Sequence, residues 1–474
     1  MKKISVAGCV FIIFLASCST SPGSVRTTEK RGGPFTDKRG VSYSFEQDKT
    51  YAEDMALLAP AVKWFYNWYI QPHPDVEAAR KEHNVLYYPM VWNNWDFEAM
   101  LEEYLAKNPD IDFIMGYNEP NLRDQCNYTP KEAAKYWPKL VKFAKNHNLK
   151  IIAPGMNYGT LENYWVPFVW LDEFFGIDSI DENTGKTIKN KGFKDVSLDD
   201  IDVIAVHCYM PGTGALKGFI NQFKRYGKPI WLSEFCSWEY SQPNAAWQNL
   251  EYQMNFMSEA VTYLELDPDV EKYAWFIPKG SEDETAVPAN KLLTKTVPPE
   301  NDPPQLTPLG VVFVNMGTCD KTLWVPAGQR IIAAHFSDMH FSDYIFKTDD
   351  AQGPTWPDKE PGYNRAKGAG LHFRPGSDPG GAPIEVFDFS ARKWAEYQVE
   401  TAEARAYTLS LRNKAEAATQ ISIRVNGENA AEITLPQSSD WRTSTVTLNL
   451  EAGKHSLRLL VTEGDCSLNW LLLE

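Results

Sequence analysis

Eight short apolar segments, most followed by helical pattern, constrain this chain more than any other feature. They begin near Gly40 (GVSYSF), Val62 (VKWFYNWY), Val85 (VLYYPMVW), Ile111 (IDFIMGYN), Leu149 (LKIIAPGMN), Ile201 (IDVIAVHCYM), Pro229 (PIWLSEF) and Lys272 (KYAWFIP). Near-continuous hydrophobic strands alternating with helices belong to a parallel sheet buried on both faces. Eight of them predict closure into a (β/α)₈ barrel. No Gly-rich phosphate loop follows the first segment, which argues against an open doubly wound sheet. Helix signals fall between the strands: Asp96 as N-cap of 96–107, a T-P-K-E capping pattern from Thr129 into 133–146, and an amphipathic run over 245–264. Residues 281–305 read as a long loop, and Leu306 to Gly310 start the last barrel helix.

After about Gly317 the period changes from helical to alternating. Strands are expected at 394–400, 406–412, 419–425, 431–435, 442–448, 455–461 and 466–473, with turn signals such as Asn426-Gly427 and Ala452-Gly453 between them. That pattern predicts an antiparallel β-sandwich of jelly-roll type. The expected division is a barrel over 36–318 and a sandwich over 319–474.

The N-terminus carries Lys2 and Lys3, an apolar run from Val6 to Leu15, and then Leu15-Ala16-Ser17-Cys18. The run is too short to span a bilayer and has the shape of a signal peptide. Leu-Ala-Ser-Cys resembles a bacterial lipobox. The resemblance implies removal of residues 1–17, lipidation of Cys18, a tether over 18–35, and an exported body anchored to a bacterial membrane. The net charge of −15, without a Lys/Arg block, argues against nucleic acid and suits a neutral partner. Cys126, Cys208, Cys236, Cys319 and Cys466 share no C-x-x-C spacing, so a zinc site is not expected. Cys208 and Cys236 both fall at strand ends, which leaves a disulfide between them open. No cofactor or catalytic metal is expected.

Barrel enzymes place their reactive groups at C-terminal strand ends. Those ends supply Tyr43; Asn67 and Trp68; Trp92 and Asn93; Asn118 and Glu119; Asn157; His207 and Tyr209; Glu234; and Trp275 with Lys279. Two of them are carboxylates, Glu119 and Glu234, following apolar strands where an unpartnered charge is costly. A pair of acids on separate strands, ringed by aromatic and amide side chains, is what glycosidic cleavage requires. Glu46 and Glu239 read as exposed loop carboxylates.

The segments K-R-G-V-S-Y, W-F-Y-N-W, Y-Y-P-M-V-W, G-Y-N-E-P-N, A-V-H-C-Y and W-L-S-E-F resemble glycoside hydrolase family 128, the β-1,3-glucanases of the retaining clan A, over roughly 38–317. The resemblance implies Glu119 as general acid/base and Glu234 as nucleophile, with carboxyls about 5–5.5 Å apart. It implies Asn118 on the sugar 2-hydroxyl, Tyr209 donating to Glu234, His207 in support, and Trp68, Trp92 and Trp275 as sugar platforms. The expected substrate is a neutral β-1,3-glucan cut internally. Another β-linked polysaccharide, or a surface lipoprotein that binds glycan without cleaving it, are the alternatives; a pure binder has no need of an acid pair. W-A-E-Y-Q-V, D-W-R-T-S-T-V and the final S-L-N-W-L resemble family 6 carbohydrate-binding modules, with Trp441 and Asn469 at the implied sugar positions. Members usually carry an acidic calcium ligand early in the first strand, where this chain has Ile331-Ile-Ala-Ala-His335.

Overall fold

The computed structural model describes residues 37–180, 184–210, 212–237, 249–280, 289–296, 302–340 and 370–474. The signal peptide, the tether, Cys18 and Glu239 lie outside these residues. The eight segments form the strands β1 Arg39–Ser42, β2 Trp64–Tyr66, β3 Leu86–Tyr87, β4 Phe113–Met115, β5 Lys150–Ile152, β6 Ile204–Cys208, β7 Ile230–Phe235 and β8 Val270–Trp275. Six of them run as one parallel sheet in the order β3-β2-β1-β8-β7-β6, and β4 pairs with β5. Parallel bridges Met90 to Met115, Ile152 to Val203 and Met156 to Val206 close the ring. The result is a parallel eight-stranded α/β core.

Large aromatics fill its interior. Trp64, Tyr66, Tyr88, Phe113 and Trp231 form a buried cluster with Met90, Met115 and the small Ala205 and Ala274. The Trp231 ring lies 4.9 Å from both Tyr88 and Phe113 and 5.2 Å from Trp64. Gly40 on β1 makes room for this plug, since a Cβ there would sit 2.4 Å from the Trp64 ring. Aromatic residues make up 13% of the chain, and many of them are therefore barrel core.

Helices α1 Tyr51–Leu58, α2 Pro74–Glu82, α3 Glu98–Lys107, α4 Pro130–Ala133, α5 Trp137–Asn146, α6 Pro167–Phe175, α7 Thr213–Phe223, α8 Leu250–Leu266 and α9 Pro308–Asn315 lie between the strands and after β8. Thr129 makes the expected capping box. The helix it opens stops at Ala133, and a second begins at Trp137. Asp96 is not an N-cap: α3 starts two residues later, Phe97 holds the cap position, and Lys139 takes the Asp96 carboxylate at 3.1 Å.

The C-terminal strands are β9 Val325–Pro326, β10 Arg330–Ile332, β11 Asp338–Met339, β12 His372–Pro375, β13 Ile384–Ser390, β14 Trp394–Thr401, β15 Arg405–Ala415, β16 Thr419–Val425, β17 Glu428–Leu435, β18 Ser438–Leu450, β19 Gly453–Glu463 and β20 Asp465–Leu473. They form two facing sheets. One runs β9-β14-β19-β16-β17 with β11 added to β14; the other runs β12-β13-β20-β15-β18 with β10 added to β20. All seven expected strands are present as β14 to β20. The earlier ones escape the alternation rule, either because they are two to four residues long or because, like β13, they bury charge: Glu385 is fully enclosed and pairs with Arg374 at 2.6 Å.

Barrel and sandwich share one continuous apolar core. Where they meet, β12 lies along α8. The Phe373 N–H donates to Ser258 Oγ at 3.0 Å, the Gly370 N–H to Glu259 Oε1 at 2.8 Å, and His372 Nε2 sits 3.0 Å from the same oxygen. The five cysteines from Cys126 onward are buried and outside any disulfide, so Cys208 and Cys236 are not bonded to each other. Among the described residues no helix is long and apolar enough to cross a membrane.

Candidate active site

The two glutamates meet at the C-terminal ends of the barrel strands, each by a departure from regular backbone. Glu119 follows β4 with φ at +42°, a conformation a side chain adopts only when its surroundings hold it there. Its N–H donates to Gly155 O at 2.9 Å. Glu234 lies inside β7 just after a register shift: Val206 pairs with Leu232, but the next residue, His207, pairs with Glu234. One residue of β7, Ser233, is skipped. Trp231 faces the interior, so strict alternation would turn Glu234 outward. The irregularity reverses the parity and aims the carboxylate inward.

One oxygen of Glu119, one of Glu234 and a ring nitrogen of His207 lie within 4.8 Å of one another, all buried. Three groups donate to Glu234: Tyr66 OH to Oε1 at 2.5 Å, Trp68 Nε1 to Oε1 at 2.7 Å, and Tyr209 OH to Oε2. Burial and the negative charge of Glu234 raise both tyrosine hydroxyls well above their ordinary value, so they stay protonated donors. Trp68 has no acceptor to offer and shares Oε1 with the Tyr66 hydroxyl, so Glu234 is met by donors on both oxygens. The pocket is built for the anion.

Glu119 is held differently. Asn157 Nδ2 donates to Oε1 at 3.1 Å and His207 Nδ1 lies 2.9 Å from the same oxygen. Among the described residues Oε2 has no hydrogen-bond partner, which makes it the oxygen able to carry a proton. His207 is fully buried. Burial would lower its pKa, but the carboxylates of Glu234 and Glu119 raise it. Its Nε2 has no partner among the described residues and rests over Gly155, where a Cβ would come within 2.7 Å. A single ring proton therefore belongs on Nδ1, shared with Glu119.

Asn118 presents a buried Oδ1 that has no partner among the described residues, while its Nδ2 donates to Gln125 at 3.0 Å. Trp68, with φ at +61°, and Trp92 are half-buried above the interior aromatic cluster. Tyr66, Gln125 and Asn121 join this neighbourhood although they are not among the strand-end residues expected there. Asn121 is fully buried and ties the loops after β4 and β5 by donating to Asn157 O at 2.7 Å and Tyr164 O at 3.1 Å.

Several expected site residues belong elsewhere. Trp275 is no sugar platform: it is completely buried, packs against Phe235 at 5.1 Å, and donates to Asn290 O at 2.8 Å. Tyr43 is core, its hydroxyl donating to Asp54 Oδ2 at 3.3 Å. Asn67 shapes a turn, its Oδ1 accepting from Tyr87 OH at 2.6 Å and Tyr69 N–H at 3.2 Å. Asn93 does the same with the Trp95 N–H at 3.1 Å. Lys279 is buried against Asp54 at 3.0 Å and Asp48 at 3.2 Å, and does not face substrate. Burial pushes the Asp54 carboxyl up to about 6 in spite of that lysine. Glu46 is exposed, as a loop carboxylate should be.

In the sandwich, Asn469 is buried and accepts the Ala382 N–H at 2.7 Å, so it is closed to sugar. Trp441 stands within β18 instead of at a loop end; its Nε1 donates to Ser377 Oγ at 3.1 Å and Lys414 Nζ lies 4.6 Å over its ring. Among the described residues, Glu119, His207 and Glu234 form the one group spaced to approach a metal ion. The donors converging on Glu234 suit a bare carboxylate better than a metal ligand.

Replacing Tyr66 by phenylalanine is expected to lower kcat/KM about 10- to 100-fold, since a hydrogen bond to a charged group contributes roughly 1.5–3 kcal/mol. Steady-state kinetics beside a melting curve checks this; an unchanged kcat/KM would remove Tyr66 from the site.

Comparison with known proteins agrees with the geometry. Residues 40–313, more than half of the chain, match the family model described as glycosyl hydrolase catalytic core. Residues 369–473 match carbohydrate binding module family 35, which takes the place of the family 6 expected from the motifs. A solved endo-β-1,3-glucanase of family 128 (subgroup II) from Pseudomonas viridiflava is 32% identical, with 59% of this chain and 98% of that chain covered and a TM-score of 0.47. Its counterpart from Sorangium cellulosum is 28% identical at the same coverages, with a TM-score of 0.45. The alkali-sensitive linkage protein 1 of Schizosaccharomyces pombe is 24% identical over 241 residues, which span 51% of this chain and only 39% of that protein. The chain belongs to the glycosyl hydrolase catalytic core family, and is a glycoside hydrolase carrying a family 35-type carbohydrate-binding module at its C-terminal end.

Proposed function

We propose that the enzyme cleaves β-1,3-glucan internally with retention of anomeric configuration. The observation that carries this reading is the pair of buried carboxylates with oxygens inside 4.8 Å and opposite surroundings. Retaining glycosidases hold their carboxyls about 5–5.5 Å apart, too close for the water that an inverting enzyme places between them. Glu234, fed by three donors, attacks the anomeric carbon as the bond to the leaving oxygen breaks. Glu119 passes its proton to that oxygen. A water then enters on the leaving-group side, Glu119 takes its proton, and the oxygen displaces Glu234 from the sugar. Asn118 Oδ1 is free to accept from the 2-hydroxyl, and Trp68 and Trp92 offer faces for neighbouring rings.

The linkage is supported by the strand motifs shared with family 128 and by the 32% identity to a protein described as an endo-β-1,3-glucanase. Export and a lipid anchor at Cys18 belong to the same proposal and rest on the N-terminal sequence. Product analysis on linear and branched β-1,3-glucans, mixed-linkage glucan, mannan and agarose tests the substrate. A ladder of β-1,3-oligosaccharides is expected; cleavage of a different polymer would keep the mechanism and overturn the linkage, and release of a single small product would overturn the internal mode.

A further inference from the structure

Between the barrel and the sandwich lies a cleft of about 860 Å³ that none of the catalytic residues enters. Its size is that of a small-ligand site. The barrel contributes Glu251 and Asn255 from the first two turns of α8; the sandwich contributes Arg374, Lys414, Ser438 and Ser467 from four strands. In a (β/α)₈ barrel the start of a helix lies toward the C-terminal ends of the strands, so the cleft opens on the side that holds Glu234.

Two features show what the cleft can take. Asn255 is 6% exposed, and its Oδ1 has no hydrogen-bond partner among the described residues. A buried amide oxygen left unmet costs free energy that a donor from a ligand would restore. The cations on the wall, in turn, are matched by carboxylates: Arg374 Nε and Lys414 Nζ lie 2.6 Å and 3.6 Å from the enclosed Glu385, and Glu251, Asp388, Glu416 and Asp465 line the same cleft. The cations keep N–H groups to offer, and the wall as a whole has no surplus of positive charge to draw an anion. Amide and carboxylate acceptors, serine hydroxyls and paired cations together match a hydroxyl-rich molecule whose every group both donates and accepts.

We propose that this cleft is a second glycan site, built jointly by barrel and module, which holds a neutral oligosaccharide stretch of the polymer the barrel cleaves. The identity of the sugar rests on the substrate proposed above; the existence of the site does not. Module and catalytic domain then act as one extended binding surface, and the docking of β12 on α8 exists to form it.

Calorimetric titration of the full chain carrying Glu234→Gln, which binds without turnover, tests this with a β-1,3-linked glucose hexasaccharide as probe. Two equivalents are expected. Ser439→Trp, a bulky group placed at the exposed rim, should reduce them to one, and Asn255→Leu should weaken the second event about tenfold at an unchanged melting temperature. A single equivalent indifferent to both variants would overturn the proposal. So would two equivalents indifferent to both, which would put the second site elsewhere. If the hexasaccharide does not bind but a mannan or mixed-linkage oligosaccharide does, and Ser439→Trp removes part of that binding, the cleft stands and the β-1,3 assignment falls.

Discussion

Alanine at position 234 is expected to reduce hydrolysis about 10⁴-fold, roughly 5.5 kcal/mol of transition-state stabilisation. The Tyr66, Trp68 and Tyr209 donors would then face a void where the attacking oxygen stood. The informative part is what azide does to the two variants. In Glu234→Ala the vacated face admits azide directly to the anomeric carbon while Glu119 still protonates the leaving oxygen, so the product is the α-glycosyl azide. In Glu119→Ala the first step proceeds only with a leaving group that needs no proton, such as dinitrophenolate. Azide then displaces Glu234 from the sugar on the opposite face and gives the β-glycosyl azide. NMR of the products assigns both roles in one experiment. Reversed anomers would exchange the two roles, and no azide adduct from either variant would remove the covalent intermediate.

Much of the barrel was legible because apolar strands buried on both faces leave a strong signal, and all eight appear near their expected places. That Glu119 and Glu234 would meet was legible because both follow apolar strands at the same end of the barrel, and the structure brings their carboxylates together. What failed was the choice of neighbours, and parity explains it. On β8, Ala274 joins the interior cluster, while Tyr273 and Trp275 belong to the surrounding core. Trp275 therefore points outward among the helices and could not have met substrate. Tyr43 has the outward parity of Val41 on β1. Tyr66 has the inward parity of Trp64, and counting from Trp64 would have found it. Glu234 breaks that same rule through the irregularity at Ser233, which no pattern in the segment announces. Asn469 misled for a different reason: a polar residue near a chain end looks available, yet here it joins a strand to the loop at Ala382. The union of barrel and module was not legible at all, because its polar contacts involve residues far apart in sequence.

That union should be the most pH-sensitive part of the fold. His372 on β12 lies between Glu259 on α8 at 3.0 Å and Asp388 on β13 at 3.6 Å; Lys393 reaches the Asp388 carboxylate at 3.3 Å, and Asp465 on β20 also faces it. Burial would lower the His372 pKa, but Asp388 and Glu259 raise it above its ordinary 6.5. A group bound more tightly to its proton in the folded state stabilises fully below its unfolded pKa. That contribution fades as pH rises through the folded value. Asp465 acts in the same direction at lower pH: burial and then the Asp388 charge push it up to about 6, so stability declines between about 4 and 6 as it ionises. Asp388 opposes them only in acid. His372 and Lys393 outweigh its burial and hold it below its ordinary 3.8, so its contribution is present above that value and lost as pH falls through the lower one. Unfolding of the full chain is therefore expected to grow easier from pH 6.5 upward, and His372→Gln should flatten that slope. Glu259→Ala removes one of the two carboxylates beside His372, together with the acceptor of the Gly370 N–H, and should cost about 1.5–3 kcal/mol at pH 6. Urea unfolding at a series of pH values measures both effects. Parallel slopes in wild type and His372→Gln would show that the histidine is neutral in the fold and that its contacts to Glu259 and Asp388 are ordinary hydrogen bonds.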